Sequence, residues 1–149
     1  MPVFGRISKE RLRSVHPLLI KCSYTVVKVF DISIAMGVRT TEEQQALYAI
    51  GRTSELDRSP VTNCDGINKK SKHQIREDGL CHAIDVNPYP VDFNNKERYY
   101  LMWGLFLGVS QSILGHSDYK LRWGGDWDGD NEFDDQTFID LPHIELTKK

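Results

Sequence analysis

A chain of 149 residues, 40% hydrophobic and 27% charged, has the length and composition of one soluble globular domain and leaves no room for a second. Nineteen Lys and Arg against twenty-one Asp and Glu give a net charge of −2, so the chain as a whole is not an electrostatic trap for nucleic acid. No run approaches the roughly 18 apolar residues of a membrane span, and residues 1–20 hold no apolar signal-peptide core, so the expectation is synthesis in the cytoplasm.

Leu12, Val15, Leu18, Leu19, Val26, Val27 and Phe30 recur at spacings that suit buried helical faces. Pro17 divides them into a short helical turn near 9–15 and a longer helix over about 18–29, because proline is tolerated in the first turn of a helix and not in its interior. Ile32, Ile34 and Met36 alternate with Asp31, Ser33 and Ala35, the period of a short strand ending at Gly37. Thr41 followed by Gln44 is a capping-box pattern for a helix carrying Leu47, Tyr48 and Ile50 and stopped by Gly51. Residues 52–79 hold little apolar material and read as a long loop, of a length that often has a functional reason. Its basic run, Lys69, Lys70 and Lys72, suits either a solvated surface or an anionic partner.

The string HAIDVNPYP predicts a strand over 82–86, ended by Pro88. Tyr100, Trp103, Phe106, Leu107 and Ile113 stand at helical intervals and predict a second long helix over about 96–114, ended by Gly115. Leu121, Arg122 and Trp123 suggest a strand, residues 124–140 an acidic glycine-containing loop, and HIEL at 143–146 the last strand. The order describes one α+β domain over residues 1–149. Cys22, Cys64 and Cys81 are odd in number, lack C-x-x-C spacing and read as free thiols.

Zinc sites draw on His nitrogen and Asp oxygen, and catalytic ones use three protein ligands so that a fourth position stays open for water. His73, Asp85 and His143 are candidates for such a set. Asp85 is the most pointed of them, because a carboxylate inside the apolar string AIDV needs a metal, an arginine or several donors. Each has a plainer reading when taken singly: an exposed His73, an Asp85 paired with arginine or backbone donors, a His143 satisfied at a strand edge. Strand alternation puts residues 82 and 84 on the face opposite 83 and 85, so His82 is a poor partner for Asp85 in a ligand set.

Asp140 could carry a proton beside a ligand, or simply add to an acidic loop with Asp126, Asp128, Asp130, Asp134 and Asp135. That loop fails the EF-hand template, since Asn131 stands where glycine is required, although a looser calcium site stays open. Arg39 could clamp a carboxylate or a developing oxyanion, or pair with Glu42 and Glu43.

Taken together, GVRTTEEQQALYAIGRT at 37–53, SKHQ at 71–74 with HAIDVNP at 82–88, and DLPHIEL at 140–146 resemble the phage endolysins that are L-alanyl-D-glutamate peptidases, within the larger family of zinc D-alanyl-D-alanine carboxypeptidase-like enzymes. The resemblance runs from about Ser8 to Leu146. It implies a D-alanyl-D-alanine carboxypeptidase-like (hedgehog/DD-peptidase) fold, with a small, mostly antiparallel sheet packed against helices. It implies that His73, Asp85 and His143 bind Zn2+, that Asp140 is the catalytic acid or base, and that Arg39 binds substrate or stabilises the tetrahedral intermediate. Ser71 would supply a supporting hydrogen bond. Glu145, on the same strand face as His143, would orient its imidazole or stand as a simple surface carboxylate.

The expected reaction is amide hydrolysis in the peptide stem of bacterial peptidoglycan, by a monomer with no nucleic-acid partner and no stable membrane insertion. A separate membrane-permeabilising protein would release it to the wall. D-alanyl-D-alanine carboxypeptidase activity and a non-catalytic wall-binding protein of the same fold are the rival readings. One departure from the family pattern stands out. Members commonly keep a compact S-x-H-x-x-G-x-A-x-D, whereas here REDGLC intervenes, His73 and Asp85 lie twelve residues apart and Cys81 takes the usual glycine place.

Overall fold

The computed structural model describes residues 1–149. Its elements in chain order are α1 (Arg6–Arg11), α2 (Pro17–Val27), β1 (Ile32–Met36), α3 (Thr41–Ala49), β2 (Ala83–Pro88), α4 (Lys96–Ile113), β3 (Tyr119–Gly124) and β4 (Asp140–Lys148). The four strands form one sheet in the order β1-β2-β4-β3, every neighbouring pair antiparallel. The α+β expectation with a small antiparallel sheet therefore holds.

Strand alternation divides the sheet into two chemically distinct faces. Ile84 pairs with Ile144, and Leu121 with Leu146, and all four are buried in the core with Phe106, Met102 and Tyr99 of α4. On the other face Asp85 stands opposite His143, and Glu145 lies between Ala83 and Arg122. One side of the sheet thus builds the apolar core and the other presents polar side chains. Helix α4 packs on the core side and α2 packs on α4. Burying side chains such as Leu19, Val26 and Phe106 is worth about 1.5–3 kcal/mol each relative to exposure, which anchors both helices.

Local chemistry explains most element boundaries. Pro17 sits at the first position of α2, and the His16 imidazole caps that helix by accepting the Leu18 amide. The first helix begins earlier than the sequence suggests, at Arg6 rather than near 9, and ends at Arg11; Ser8 is its buried residue, with Phe4 and Leu12 buried on either side. Helix α3 is capped by Thr40 and Glu43, not by Thr41 and Gln44. The Thr40 hydroxyl accepts the Glu43 amide, and the Glu43 carboxylate accepts the Thr40 amide. The final strand is longer than HIEL and starts at Asp140, and β2 runs on through Pro88.

Two glycines let backbones approach where a side chain would collide. A Cβ at Gly37 would strike the Arg11 carbonyl oxygen, and one at Gly124 would strike the Asp140 carbonyl oxygen at the bulge where β3 meets the start of β4. Between α3 and β2 the chain forms no helix or named strand, as the composition of 52–79 predicted. Its own polar groups hold it: Asp65 Oδ1 accepts the Ile67 and Lys69 amides, both at 2.9 Å, and Gln74 donates to the Gly66 carbonyl at 2.9 Å. No helix is long and apolar enough to cross a membrane. Cys22, Cys64 and Cys81 are free, and burial pushes the Cys22 and Cys81 thiols up to about 11, which leaves them unreactive.

Candidate metal centre and active site

Three side chains from two strands and the long loop meet on the polar face of the sheet. Asp85 and His143 face one another across β2 and β4, and His73 reaches them from the loop. His73 Nε2 lies 3.3 Å from Asp85 Oδ1 and 3.3 Å from His143 Nδ1, which is itself 3.5 Å from the same Asp85 oxygen. A tetrahedral zinc with bonds of about 2.0–2.1 Å sets its ligand atoms roughly 3.3–3.4 Å apart, so this triangle has the dimensions of a zinc ligand set.

The proton inventory points the same way. His73 Nδ1 is 2.8 Å from the Gly37 carbonyl oxygen, which can only accept, so the hydrogen sits there and Nε2 turns a lone pair inward. His143 Nε2 is 3.3 Å from Glu145 Oε2, a carboxylate that favours a hydrogen on that nitrogen and a lone pair on Nδ1. Asp85 Oδ1 is buried with no hydrogen-bond partner. Two lone pairs and an orphaned carboxylate oxygen converge with no donor between them, an arrangement that calls for a cation.

Without a metal a proton fills that need. Burial works against charging His143, but the carboxylates of Asp85 and Glu145 raise it to about 9. Burial likewise opposes ionisation of Asp85, yet the His143 and His73 imidazoles hold its carboxyl well below the usual range. Arg122 fixes the outer end of the chain of contacts, its Nε donating to Glu145 Oε1 at 2.6 Å while the guanidinium lies over the Trp127 ring. Glu145 is 3% exposed and bridges His143 and Arg122; it is not a surface carboxylate.

The neighbours expected from the sequence take their places around this centre. His73 is 2% exposed, so the reading of an exposed loop histidine is wrong; Ser71 Oγ accepts the His73 amide and shapes the turn that delivers it. Arg39 does not pair with Glu42 or Glu43. Its Nη1 donates to Gln44 Oε1 at 2.9 Å, and its Nη2 stands 3.9 Å from Asp85 Oδ2. Asp140 lines the same cleft, where burial and the nearby Asp85 charge raise its carboxyl above the ordinary value. His82 points away from the centre, as alternation predicted, and bonds Asp78 at 2.7 Å. In the acidic loop Asp126, Asp128 and Asp130 come together, with Asp126 accepting the Gly129 and Asn131 amides.

Sequence reasoning missed several contributors. Gln44 is fully buried, taking the Arg39 guanidinium on its oxygen and donating to the Cys64 carbonyl at 2.8 Å, so it ties α3, Arg39 and the loop together. Trp127 lies against the His143 ring, 5.4 Å between centroids, and forms a cleft wall with Phe138. The cleft encloses about 880 Å³, and Lys69, Lys70, Lys72, Arg76 and Arg122 line it alongside Arg39.

Two histidines and an aspartate that could hold a metal ion, with an adjacent raised carboxyl and a guanidinium and open to the cleft, fit the make-up of a metal-dependent hydrolase centre. More narrowly, this chain belongs to the phage L-alanyl-D-glutamate peptidase family, whose model matches residues 2–147. Its fold is also similar to the crystal structure of the Serratia marcescens L-Ala D-Glu endopeptidase ChiX. The TM-score is 0.66 and the identity 22%, over 98% of this chain and 91% of that one.

Proposed function

We propose that this protein is a zinc peptidase that hydrolyses the L-alanyl-D-glutamate bond in the peptide stem of bacterial peptidoglycan. The observation that carries this is the convergence of His73, Asp85 and His143 on a buried point where Asp85 Oδ1 has no partner, in a chain of this family. His73 through Nε2, His143 through Nδ1 and Asp85 through Oδ1 would hold the ion. Bound there, zinc supplies Lewis-acid polarisation of the scissile carbonyl and a lowered pKa for water.

The chain's own residues do the rest. Asp140, its proton affinity raised by burial and by Asp85, accepts a proton from the attacking water and returns it to the departing amine nitrogen. Arg39, held by Gln44, offers its fork to the oxygen on which negative charge develops. Gly37 and Glu145 keep each imidazole in the tautomer that presents a lone pair. Trp127 and Phe138 wall off one side from bulk water.

The protein would work as a monomer at the peptidoglycan layer, after a separate membrane-permeabilising protein gives it access, and so lyse the host cell. The deciding experiment is mass analysis of products from purified wall fragments incubated with the zinc-loaded protein. Fragments with a new D-glutamyl amino terminus support the proposal. Release of free D-alanine would make it a carboxypeptidase, and wall binding without any new amino terminus would make it a binding protein.

A further inference from the structure

The cleft carries more positive charge than the chemistry just described uses. Of its basic side chains Arg39 is committed to Gln44 and Asp85, and Arg122 to Glu145. Lys72 directs its ammonium only to a neutral oxygen, the Leu146 carbonyl at 3.0 Å. Arg76 makes no ion pair, and its Nε is buried with no hydrogen-bond partner. Lys72, Arg76 and Arg122 line the same cleft, with Glu145 as the carboxylate among them. Glu145 is already divided between Arg122 and His143. Half-buried cations left with too few counter-charges form a site for an anion, and the Arg76 guanidinium, which lines the cleft without an ion pair, suits the flat fork of a carboxylate.

We infer that Lys72 and Arg76, beside Arg122, form a carboxylate subsite next to the metal centre that takes the free carboxyl group of the residue on the amine side of the cleaved bond. The inference rests on the proposed function for the identity of that residue. A D-glutamyl residue has two carboxyl groups, and continuation of the peptide uses at most one, so at least one carboxylate lies within a few bonds of the scissile nitrogen. Arg76 and Lys72 flank His73 in sequence, which puts this subsite next to the ligand loop. Arg76 also opens the REDGLC segment that interrupts the compact family pattern, and its amide and carbonyl close the turn with Leu80 and Gly79. The inserted residues thus contribute a specificity group while the ligands stay fixed.

The test compares two product-like dipeptides that cannot be cut, one beginning with D-glutamate and the other with D-glutamine, by calorimetric binding to the zinc-loaded wild type and to Arg76→Gln. Charge-assisted contacts of this kind correspond to about a 10- to 100-fold preference for the acid. Arg76→Gln should erase most of that preference with little change toward the amide, and Arg76→Lys should recover part of it. Equal affinity of the wild type for both dipeptides, or an equal loss toward both in Arg76→Gln, would overturn the subsite. Wall fragments are digested in parallel. Cleavage without acid preference defeats the subsite alone, and acid preference without cleavage defeats the proposed reaction alone. A melting curve for each variant shows that the fold is intact, as the orphaned Nε at position 76 leads one to expect.

Discussion

Asp85 and Asp140 stand in one cleft and are pushed in opposite directions, Asp85 down by two imidazoles and Asp140 up by burial and by Asp85 itself. One is suited to bind a cation and the other to exchange a proton. Asp140→Ala is therefore expected to keep close to one zinc per chain while turnover falls by about 10²- to 10⁴-fold, the usual contribution of a positioned acid or base. Metal analysis and steady-state rates on one preparation check this; a wild-type rate would remove Asp140 from the reaction. His73→Ala should behave the other way round and lose the metal, read as bound zinc after dialysis. Asp85 was legible as a site residue because a carboxylate in AIDV is out of place. His73 was not legible as buried, because what covers it is the Gly37 carbonyl, thirty-six residues away, and a turn made by Ser71 and Gln74.

At the scale of elements, helix α3 shows why local patterns locate a helix better than they set its register. The sequence offers Thr40 and Thr41, then Glu43 and Gln44, so two capping boxes one residue apart are equally well formed on paper. Tertiary contacts decide between them: Gln44 is drawn inside to bind Arg39 and the Cys64 carbonyl, which leaves Glu43 for the cap. Thr40→Ala should cost about 1 kcal/mol of unfolding free energy. Thr41→Ala should cost less, since that hydroxyl accepts only a 3.3 Å bond from Gln74. Urea unfolding of the two variants checks it, and the reverse order would restore the Thr41 register. The strands were legible from alternation, which also placed His82 away from Asp85. The contacts of the long loop were not, because partners such as Lys72 and the Leu146 carbonyl are seventy-four residues apart and neither has a periodic signal.

For the whole molecule, a metal held by His73, Asp85 and His143 would clamp the loop at 73 to β2 and β4, so occupancy of that site should be felt as global stability. In the metal-free protein the clamp is a proton on His143, whose pKa is lifted from 6.5 to about 9 by Asp85 and Glu145. A group whose pKa is raised by folding stabilises fully below its unfolded value and loses that contribution as pH climbs through its folded value. The chelator-treated protein should therefore lose stability between pH 6.5 and about 9, a window in which Asp85 and Glu145 stay ionised. The zinc-loaded protein has no such proton to lose, and below about pH 9 zinc must displace it to bind. Zinc affinity is accordingly expected to rise with pH, by up to about tenfold per unit, with release of one proton. Melting curves of loaded and chelator-treated protein should diverge by several degrees across this range, since about 1 kcal/mol moves the midpoint of a chain this size by roughly 2–4 °C or more. A gap that stayed constant or narrowed with rising pH would mean that His143 does not hold the exchangeable positive charge.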